Sequence, residues 1–164
     1  MVNLTKIYTR TGDSGETSIG GNKRVPKWSP IIIAIGKIDT ANSAIGLCPR
    51  SDIIDMIQND LFNLGAQLVG SKTIGINDER VEWIETLIDD HNEYLEPLKS
   101  FILPNGPFHF ARTLVREAEL KLWWAMEYED IDPVLVKYLN RLSDLLFVMA
   151  RYHAKEKLWE PTNG

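Results

Sequence analysis

The helical spacing of apolar residues constrains the fold of this chain more than any other feature. Near the carboxyl end, apolar residues recur at intervals of four, three, four and three positions: Leu135, Leu139, Leu142, Leu146 and Met149. This spacing is typical of a helix that packs against partner helices along one seam. An earlier series forms a similar stripe: Ile53, Ile57, Leu61, Leu64 and Leu68. Stripes of this length predict amphipathic helices that bury one face against each other.

Prolines and capping residues divide the periodic region into five predicted helices. The first covers about Pro30 to Leu47, the second begins near Ser51, and the third covers about Asp78 to Tyr94. The fourth carries Phe110, Leu114, Ala118 and Leu122, and the fifth follows a break at 130–133. Alternation of polar and apolar residues is confined to 6–11, so no strand is expected. We therefore predict an all-α fold, a five-helix bundle over residues 30–157 within one domain, 1–164.

Residues 1–29 have a different composition from the rest of the chain. They contain four glycines, several hydroxyl residues and a basic cluster formed by Lys23, Arg24 and Lys27. The composition predicts a polar, Gly-rich N-terminal loop rather than a packed element. Successive backbone amides in such a loop can bind an anion. An ordinary flexible arm is the alternative, and composition alone leaves both open.

Charge and cysteine content limit the classes of partner. The chain of 164 residues has 18 basic and 23 acidic residues, for a net charge of −5. A nucleic-acid-binding module usually has a basic surplus, so no nucleic acid is expected as the main partner. The beginning of the sequence has no apolar signal region, and the longest aliphatic run, 31–35, is too short to span a membrane. With a single cysteine, Cys48, the chain is expected to be cytoplasmic, with no membrane partner.

The usual catalytic motifs are missing, but the fourth predicted helix carries a charged pattern. Arg112, Arg116 and Glu119 share one helix face, and two arginines one turn apart can bind phosphate oxygens. The alternative is a solvated face with an ion pair between Arg116 and Glu119. The three histidines have no metal-ligand spacing and are expected at the surface or at helix ends. On the fifth helix, Asn140 lies one turn before Asp144, for which an Arg141–Asp144 ion pair is the alternative explanation.

Six segments of the sequence, in order, resemble the PduO-type cobalamin adenosyltransferases. They read IYTRTGDSGETS, IGKIDTANSAIG, QNDLFNLGAQL, FILP, ARTLVREAE and YLNRLSDLLFVMARY. The resemblance implies a five-helix bundle that assembles as a homotrimer with active sites between subunits. It implies transfer of the 5′-deoxyadenosyl group of ATP to the cobalt of cob(I)alamin, with release of tripolyphosphate. It also implies that Mg²⁺ accompanies the ATP, with no metal ligand from the protein, and that a reductase and an adenosylcobalamin-dependent enzyme are partners.

The resemblance also implies roles for individual residues. The residues matching the family's ATP site are Thr9, Arg10, Thr11, Gly12, Asp13, Gly15, Thr17, Ser18, Lys27, Arg116, Glu119 and Asn140. Asp39 matches an aspartate that pairs across the subunit interface with the arginine at Arg112. Phe101 matches an aromatic residue that covers the lower face of the corrin and keeps the axial base away. Asp39, Arg112, Arg116 and Phe101 are thus the expected catalytic residues, with Phe101 and Asp39 on the cobalamin side.

Several positions depart from the family pattern. Thr40 stands where the family usually has Glu, and Glu117 and Leu120 stand where arginines are common. In the reaction that the resemblance implies, cob(I)alamin is itself the nucleophile, so the lack of a Ser, Cys or His catalytic motif agrees with that chemistry. The departures leave a second hypothesis open, a non-catalytic nucleotide- or cobalamin-binding delivery or sensor protein on the same bundle.

Overall fold

The computed structural model describes residues 8–20 and 23–162; residues 1–7, 21–22 and 163–164 lie outside the described residues. The described elements are β1 (Glu16–Ile19), β2 (Lys23–Pro26), α1 (Pro30–Ile45), α2 (Asp52–Leu68), α3 (Asp78–Asn92), α4 (Gly106–Ala125) and α5 (Val134–His153). The prediction of five helices is confirmed. Two expectations are wrong: strands do occur, and the helical region ends before residue 157.

Local signals set the helix ends. The Ser51 side chain accepts a hydrogen bond from the Ile54 amide at 3.3 Å, and Asn77 accepts one from the Arg80 amide at 3.0 Å. Each bond satisfies an amide that the first turn of a helix leaves without a partner. Pro30 opens α1 at a position where a missing N–H costs nothing.

The core forms where α4 packs between α1 and α5. Helix α5 also packs on α3, and α1 packs on α2. The five residues of the predicted α5 seam, Leu135 to Met149, are all buried. The apolar spacing therefore identified the buried face of α5 correctly. This packing holds α4 and α5, which carry predicted site residues, side by side.

A polar cluster joins α2, α3 and α5. Asp60 is 5% exposed, and its Oδ2 accepts from Arg80 Nε at 2.6 Å and from the Tyr138 hydroxyl at 2.7 Å. The guanidinium of Arg80 lies 3.7 Å from the ring centre of Trp83. Burial, with the neighbouring Asp60, raises the pKa of Tyr138 well above its ordinary value. We call Asp60, Arg80 and Tyr138 the Asp60 cluster.

The prediction that residues 1–29 form only an unpacked loop, without strands, is wrong for part of that region. Strands β1 and β2 form an antiparallel hairpin in which Thr17 pairs with Val25 and Ser18 with Arg24. Val25 is 8% exposed, so the hairpin contributes to the buried interior. With four residues in each strand, the hairpin is too short for its alternation to stand out in a polar sequence.

The carboxyl-terminal segment also differs from the prediction, because α5 ends at His153 and not at 157. Residues after it run beside the connection between α3 and α4, where Ile102 forms a bridge with Leu158. The Leu103 amide donates to the Lys157 carbonyl at 2.8 Å, and the Trp159 amide donates to the Phe101 carbonyl at 2.7 Å. This pairing fixes the backbone from Phe101 to Leu103. In the part of the chain that the structure describes, no helix is long and apolar enough to cross a membrane.

Candidate functional site

The predicted nucleotide residues at the beginning of the chain lie in a tight loop that leads into the hairpin. The loop is closed by hydrogen bonds from the Gly15 amide to the Gly12 carbonyl at 3.2 Å and from the Lys27 amide to the Gly15 carbonyl at 2.9 Å. The hydroxyls of Thr9 and Thr11 lie 2.9 Å apart. We call residues 9–18 the nucleotide loop.

Gly15 is needed for the shape of the nucleotide loop, and Gly12 lies against a flexible lysine side chain. Gly15 has a φ of +84°, and a Cβ there would lie 3.0 Å from the Trp28 ring. At Gly12, a Cβ would lie 3.0 Å from Nζ of Lys27. The Lys27 ammonium therefore lies against the Gly12 backbone of the loop. Arg10 has a φ of +63°, and its guanidinium lies 5.7 Å from the Tyr8 ring centre.

A groove of about 470 Å³ lies between β1, α1 and α2. Thr17, Ser18 and Asp39 line it, together with apolar residues such as Ile35 and Phe62. We call it the hairpin groove. Asp39 is exposed and forms no ion pair with any residue in the described part of the chain. The groove thus combines hydroxyls and one carboxylate with an apolar wall.

Arg112 on α4 is half-buried, and its Nε has no hydrogen-bond partner among the described residues. Its guanidinium lies 5.8 Å from the Phe147 ring centre. Burial, with the nearby charge of Arg116, lowers the pKa of Arg112. A guanidinium that is partly buried and lacks a bond at Nε favours an anionic partner. Within one chain, Asp39 is not the anionic partner of Arg112.

The remaining charged residues of α4 make contacts that sequence reasoning did not foresee. Arg116 is exposed and forms no ion pair with Glu119, which instead accepts a hydrogen bond from Trp123 Nε1 at 3.4 Å. Glu117 pairs with Lys37 of α1 at 2.7 Å. The departure at Glu117 therefore adds a contact between α1 and α4. Leu120 is 66% exposed and makes no comparable contribution to the interior.

A second groove, of about 520 Å³, lies beside α4 and α5. Glu119 and Asn140 line it with Asp78, Trp123, Lys137 and Arg141. We call it the α4–α5 groove. The predicted Arg141–Asp144 pair is replaced by a bond from Arg141 Nε to Glu85 at 2.7 Å, which joins α5 to α3. The α4–α5 groove shares no lining residue with the hairpin groove. A single chain therefore divides the predicted ATP residues between two surfaces.

Phe101 lies in the connection between α3 and α4 and lines neither groove. Its side chain is 79% exposed. Its ring meets that of Trp159 edge to face, with centres 6.2 Å apart. The carboxyl-terminal segment thus supports an aromatic side chain that is otherwise open to solvent. An exposed aromatic ring held by a fixed backbone can cover an apolar ligand surface.

The titratable groups offer little acid–base chemistry. His109 is 5% exposed, which corrects the expectation of a surface histidine, and burial lowers its pKa. Burial also raises the pKa of the Cys48 thiol to about 11. Among the described residues, no three His, Cys, Asp or Glu side chains converge as metal ligands.

Sequence reasoning missed Trp28 and Trp159, and it placed Arg24 in a basic cluster without showing its contacts. Arg24 and Trp28 belong to the hairpin and its exit, and Trp159 pairs with a segment more than fifty residues earlier. None of these contacts follows from helical spacing. The basic cluster marked Arg24, but only the strand register shows what it touches.

The fold and these side chains define a helical-bundle protein with groups suited to a polyanionic ligand. A model of the family described as cobalamin adenosyltransferase matches residues 7–153. The corrinoid adenosyltransferase of Mycobacterium tuberculosis is 38% identical over 184 residues, covering 98% of this chain and 95% of that protein. The corrinoid adenosyltransferase PduO of Salmonella typhimurium is 38% identical over 163 residues, covering 88% of this chain and 48% of that protein.

A solved structure has the same architecture. It is a variant of the PduO-type ATP:corrinoid adenosyltransferase from Lactobacillus reuteri, complexed with cobalamin and ATP, with a TM-score of 0.87 and 30% identity. The match covers 95% of this chain and all of that one, 100%. The chain belongs to the cobalamin adenosyltransferase family, and its relatives place it with the PduO-type corrinoid adenosyltransferases, which are transferases.

Proposed function

We propose that this chain transfers the 5′-deoxyadenosyl group of ATP to the cobalt of cob(I)alamin, forming adenosylcobalamin and tripolyphosphate. An electron pair on cobalt forms the bond to C5′, and the C5′–O bond breaks with its electron pair leaving on tripolyphosphate. No side chain is needed as nucleophile, in agreement with a buried, protonated Cys48. The protein's contribution is to bind, orient and stabilise charge.

The observation that carries this proposal is the set of phosphate-binding groups around the nucleotide loop. The Lys27 ammonium lies against Gly12, and the hydroxyls of Thr9 and Thr11 in the same loop lie 2.9 Å apart. Tripolyphosphate gains negative charge as it leaves, so positioned cations and amides stabilise the transition state more than the ground state. We assign Thr9, Arg10, Thr11, Gly12, Asp13, Gly15, Thr17, Ser18 and Lys27 to this part of the ATP site.

We propose that a second subunit completes the site, in a homotrimer. The hairpin groove and the α4–α5 groove share no lining residue, yet each contains residues assigned to ATP. A head-to-tail interface that brings the hairpin groove of one subunit to α4 and α5 of the next joins Thr17 and Ser18 with Arg116, Glu119 and Asn140. Such interfaces close into rings.

The same assembly accounts for two charged side chains. Arg112 has an unbonded buried Nε, and Asp39 has no ion-pair partner within the described chain. We propose that they pair across the interface and that Asp39 lies on the cobalamin side. A guanidinium and a carboxylate form a strong, directional pair when water is excluded. Phe101, held by Trp159, is proposed to cover the lower face of the corrin.

We propose that Mg²⁺ enters the site bound to the triphosphate. Magnesium usually binds one or two carboxylates together with substrate phosphates and keeps several waters. The carboxylates near the nucleotide loop are Asp13 and Glu16, and Glu16 is already paired with Arg24 at 3.3 Å. The donor set therefore suits a metal held mainly by phosphate oxygens. Its chemistry there is to neutralise charge on the leaving group.

The test is an anaerobic assay with the protein, Mg-ATP and chemically reduced cobalamin. We expect the absorbance of adenosylcobalamin to appear in proportion to enzyme, with one tripolyphosphate released for each product. Absence of product at high enzyme concentration, with ATP and cobalamin still bound, would favour a delivery or sensor protein. The oligomer is tested by light scattering: a particle of three times the chain mass of 18.7 kDa is expected.

A further inference from the structure

Arg24 lies on β2 and reaches across the hairpin to the nucleotide loop. Its Nη2 donates to the Thr11 carbonyl at 2.7 Å and to the Glu16 carbonyl at 3.3 Å. Its Nη1 donates to the Ser18 hydroxyl at 3.2 Å, and its Nε donates to a Glu16 carboxylate oxygen at 3.3 Å. All three guanidinium nitrogens are therefore bonded to residues of the loop and β1.

This arrangement differs from what the basic cluster suggested. As a phosphate ligand, Arg24 would direct its donors at the substrate, whereas here they are directed at the protein. A guanidinium presents its donors in a fixed planar fork, so bonds to several loop atoms restrict their relative positions. The paired carboxylate of Glu16 also offsets the positive charge of Arg24.

The bond to Thr11 has a consequence for the neighbouring amide. The peptide unit is planar and trans, so its carbonyl and its N–H point in opposite directions. Because the Thr11 carbonyl points at Arg24, the Gly12 amide points away from Arg24. Gly12 is also the residue whose backbone the Lys27 ammonium approaches. Arg24 thus holds the carbonyl of this peptide and fixes the direction of the Gly12 amide, which we assign to the proposed phosphate site.

We propose that Arg24 is a positioning residue that sets the conformation of the nucleotide loop before ATP binds, acting through the Thr11 and Glu16 backbone. This inference rests on the proposed function, since it assigns ATP to that loop. A loop already held in its binding conformation does not spend binding energy on ordering. Arg24 therefore contributes to ATP affinity without touching ATP.

The first experiment uses ATP-free protein and does not depend on activity. Arg24→Lys keeps the charge but loses the fork. Arg50→Lys is the matched control, because Arg50 lies between α1 and α2 and pairs with Asp55 of α2. Hydrogen exchange of the peptide 9–28 is measured by mass spectrometry at short labelling times. We expect about tenfold faster exchange in Arg24→Lys only, with no change in α5 and no loss of thermal stability. Unchanged exchange in that peptide would overturn the proposal.

The second experiment separates positioning from direct phosphate contact. In steady-state kinetics with Mg-ATP, we expect Arg24→Lys to raise KM for ATP roughly tenfold, about 1.4 kcal/mol, while kcat stays within about twofold. Glu16→Gln removes the ion pair but keeps the backbone bonds, so a smaller increase in KM is expected. A normal KM in Arg24→Lys but a high KM in Arg24→Ala would show that charge alone matters and would refute positioning. If wild-type protein makes no product, the proposed function fails, while exchange and calorimetric ATP binding still decide the role of Arg24.

Discussion

Replacing Asp60 by alanine is expected to destabilise the bundle strongly, because the Asp60 cluster joins three helices. Removing one partner of a buried ion pair typically costs about 3–5 kcal/mol. Arg80 keeps 23% side-chain exposure and its contact with Trp83, so its charge stays partly hydrated. The cost of removing its partner is therefore expected near the lower end of that range, about 3 kcal/mol. The Tyr138 hydroxyl, however, loses its acceptor at a fully buried position, which adds about 1–3 kcal/mol. We therefore expect a loss of about 4 kcal/mol in the free energy of unfolding.

A matched control lies on the same helix. Asp55 is also on α2 and pairs with Arg50, whose side chain is 83% exposed. Exposed pairs contribute about 0–1 kcal/mol, so Asp55→Ala is expected to cost far less than Asp60→Ala. Urea unfolding of both variants, followed by circular dichroism at one fixed protein concentration, gives the two free energies. For a chain of this length, about 4 kcal/mol corresponds to a fall in Tm of roughly 8–16 °C.

A double-mutant cycle identifies the source of the effect. Tyr138→Phe in the wild type removes a hydrogen bond to a charged acceptor, at an expected cost of about 1.5–3 kcal/mol. In the Asp60→Ala background the same change is expected to cost little, since the hydroxyl has already lost its acceptor. If Asp60→Ala is no more destabilising than Asp55→Ala, or if the Tyr138 effect is the same in both backgrounds, the Asp60 cluster does not hold the helices as argued.

Three further outcomes are expected. Arg116→Ala and Asp39→Ala each lower the rate of adenosylcobalamin formation at least tenfold, which corresponds to about 1.4 kcal/mol. The surface control Arg50→Ala keeps the wild-type rate. A wild-type rate in either site variant contradicts the role proposed for that residue. Phe101→Ala slows the reaction of intact cobalamin more than that of a corrinoid lacking the lower base, and equal slowing argues against a role in base displacement. With a pKa of about 11, the Cys48 thiol is about 0.1% thiolate at pH 8, so intact mass after iodoacetamide is expected to show no alkylation of native protein and full alkylation after unfolding.

The helices were predictable because each is specified by residues close together in sequence. The α5 seam follows from spacing alone, and the caps at Ser51 and Asn77 mark the beginnings of α2 and α3. The predicted ends of α1 and α3, Leu47 and Tyr94, each lie two residues beyond the observed ends. Helix ends are the positions where the last turn becomes irregular backbone. Local propensity and burial agree in these segments, and sequence reasoning succeeds where they agree.

The hairpin and the carboxyl-terminal segment were not predictable for a different physical reason. Their backbone bonds join residues that are polar or far apart, such as Phe101 and Trp159. A four-residue strand contains too few alternating positions to be distinguished from a loop, and a bridge across fifty residues leaves no periodic pattern. In the hairpin and the carboxyl-terminal segment, the sequence showed only a distinctive composition. Composition does not specify which backbone or side-chain groups are paired.

The resemblance named individual site residues, but their distribution over two grooves is a property of the fold. Thr17 and Asp39 line one groove, and Glu119 and Asn140 line the other. Helical spacing could place Arg112, Arg116 and Glu119 on one face of α4, yet it could not show that Glu117 binds Lys37 while Arg112 has an unbonded Nε. Those facts depend on how α1 and α5 pack against α4.

The distribution of charge in a single chain supports the homotrimer that we propose. Arg24 is bonded to the protein, whereas the Lys27 ammonium lies beside the nucleotide loop, where we propose that the substrate binds. Burial lowers the pKa of Arg112, and the nearby positive charge of Arg116 on α4 lowers it further. An anion placed between them would relieve the repulsion between the two guanidinium groups, as would Asp39 of a neighbouring subunit in the proposed homotrimer. In that assembly the α4 surface of one subunit would meet the hairpin of another, and cations would gather around tripolyphosphate without being concentrated in any single chain.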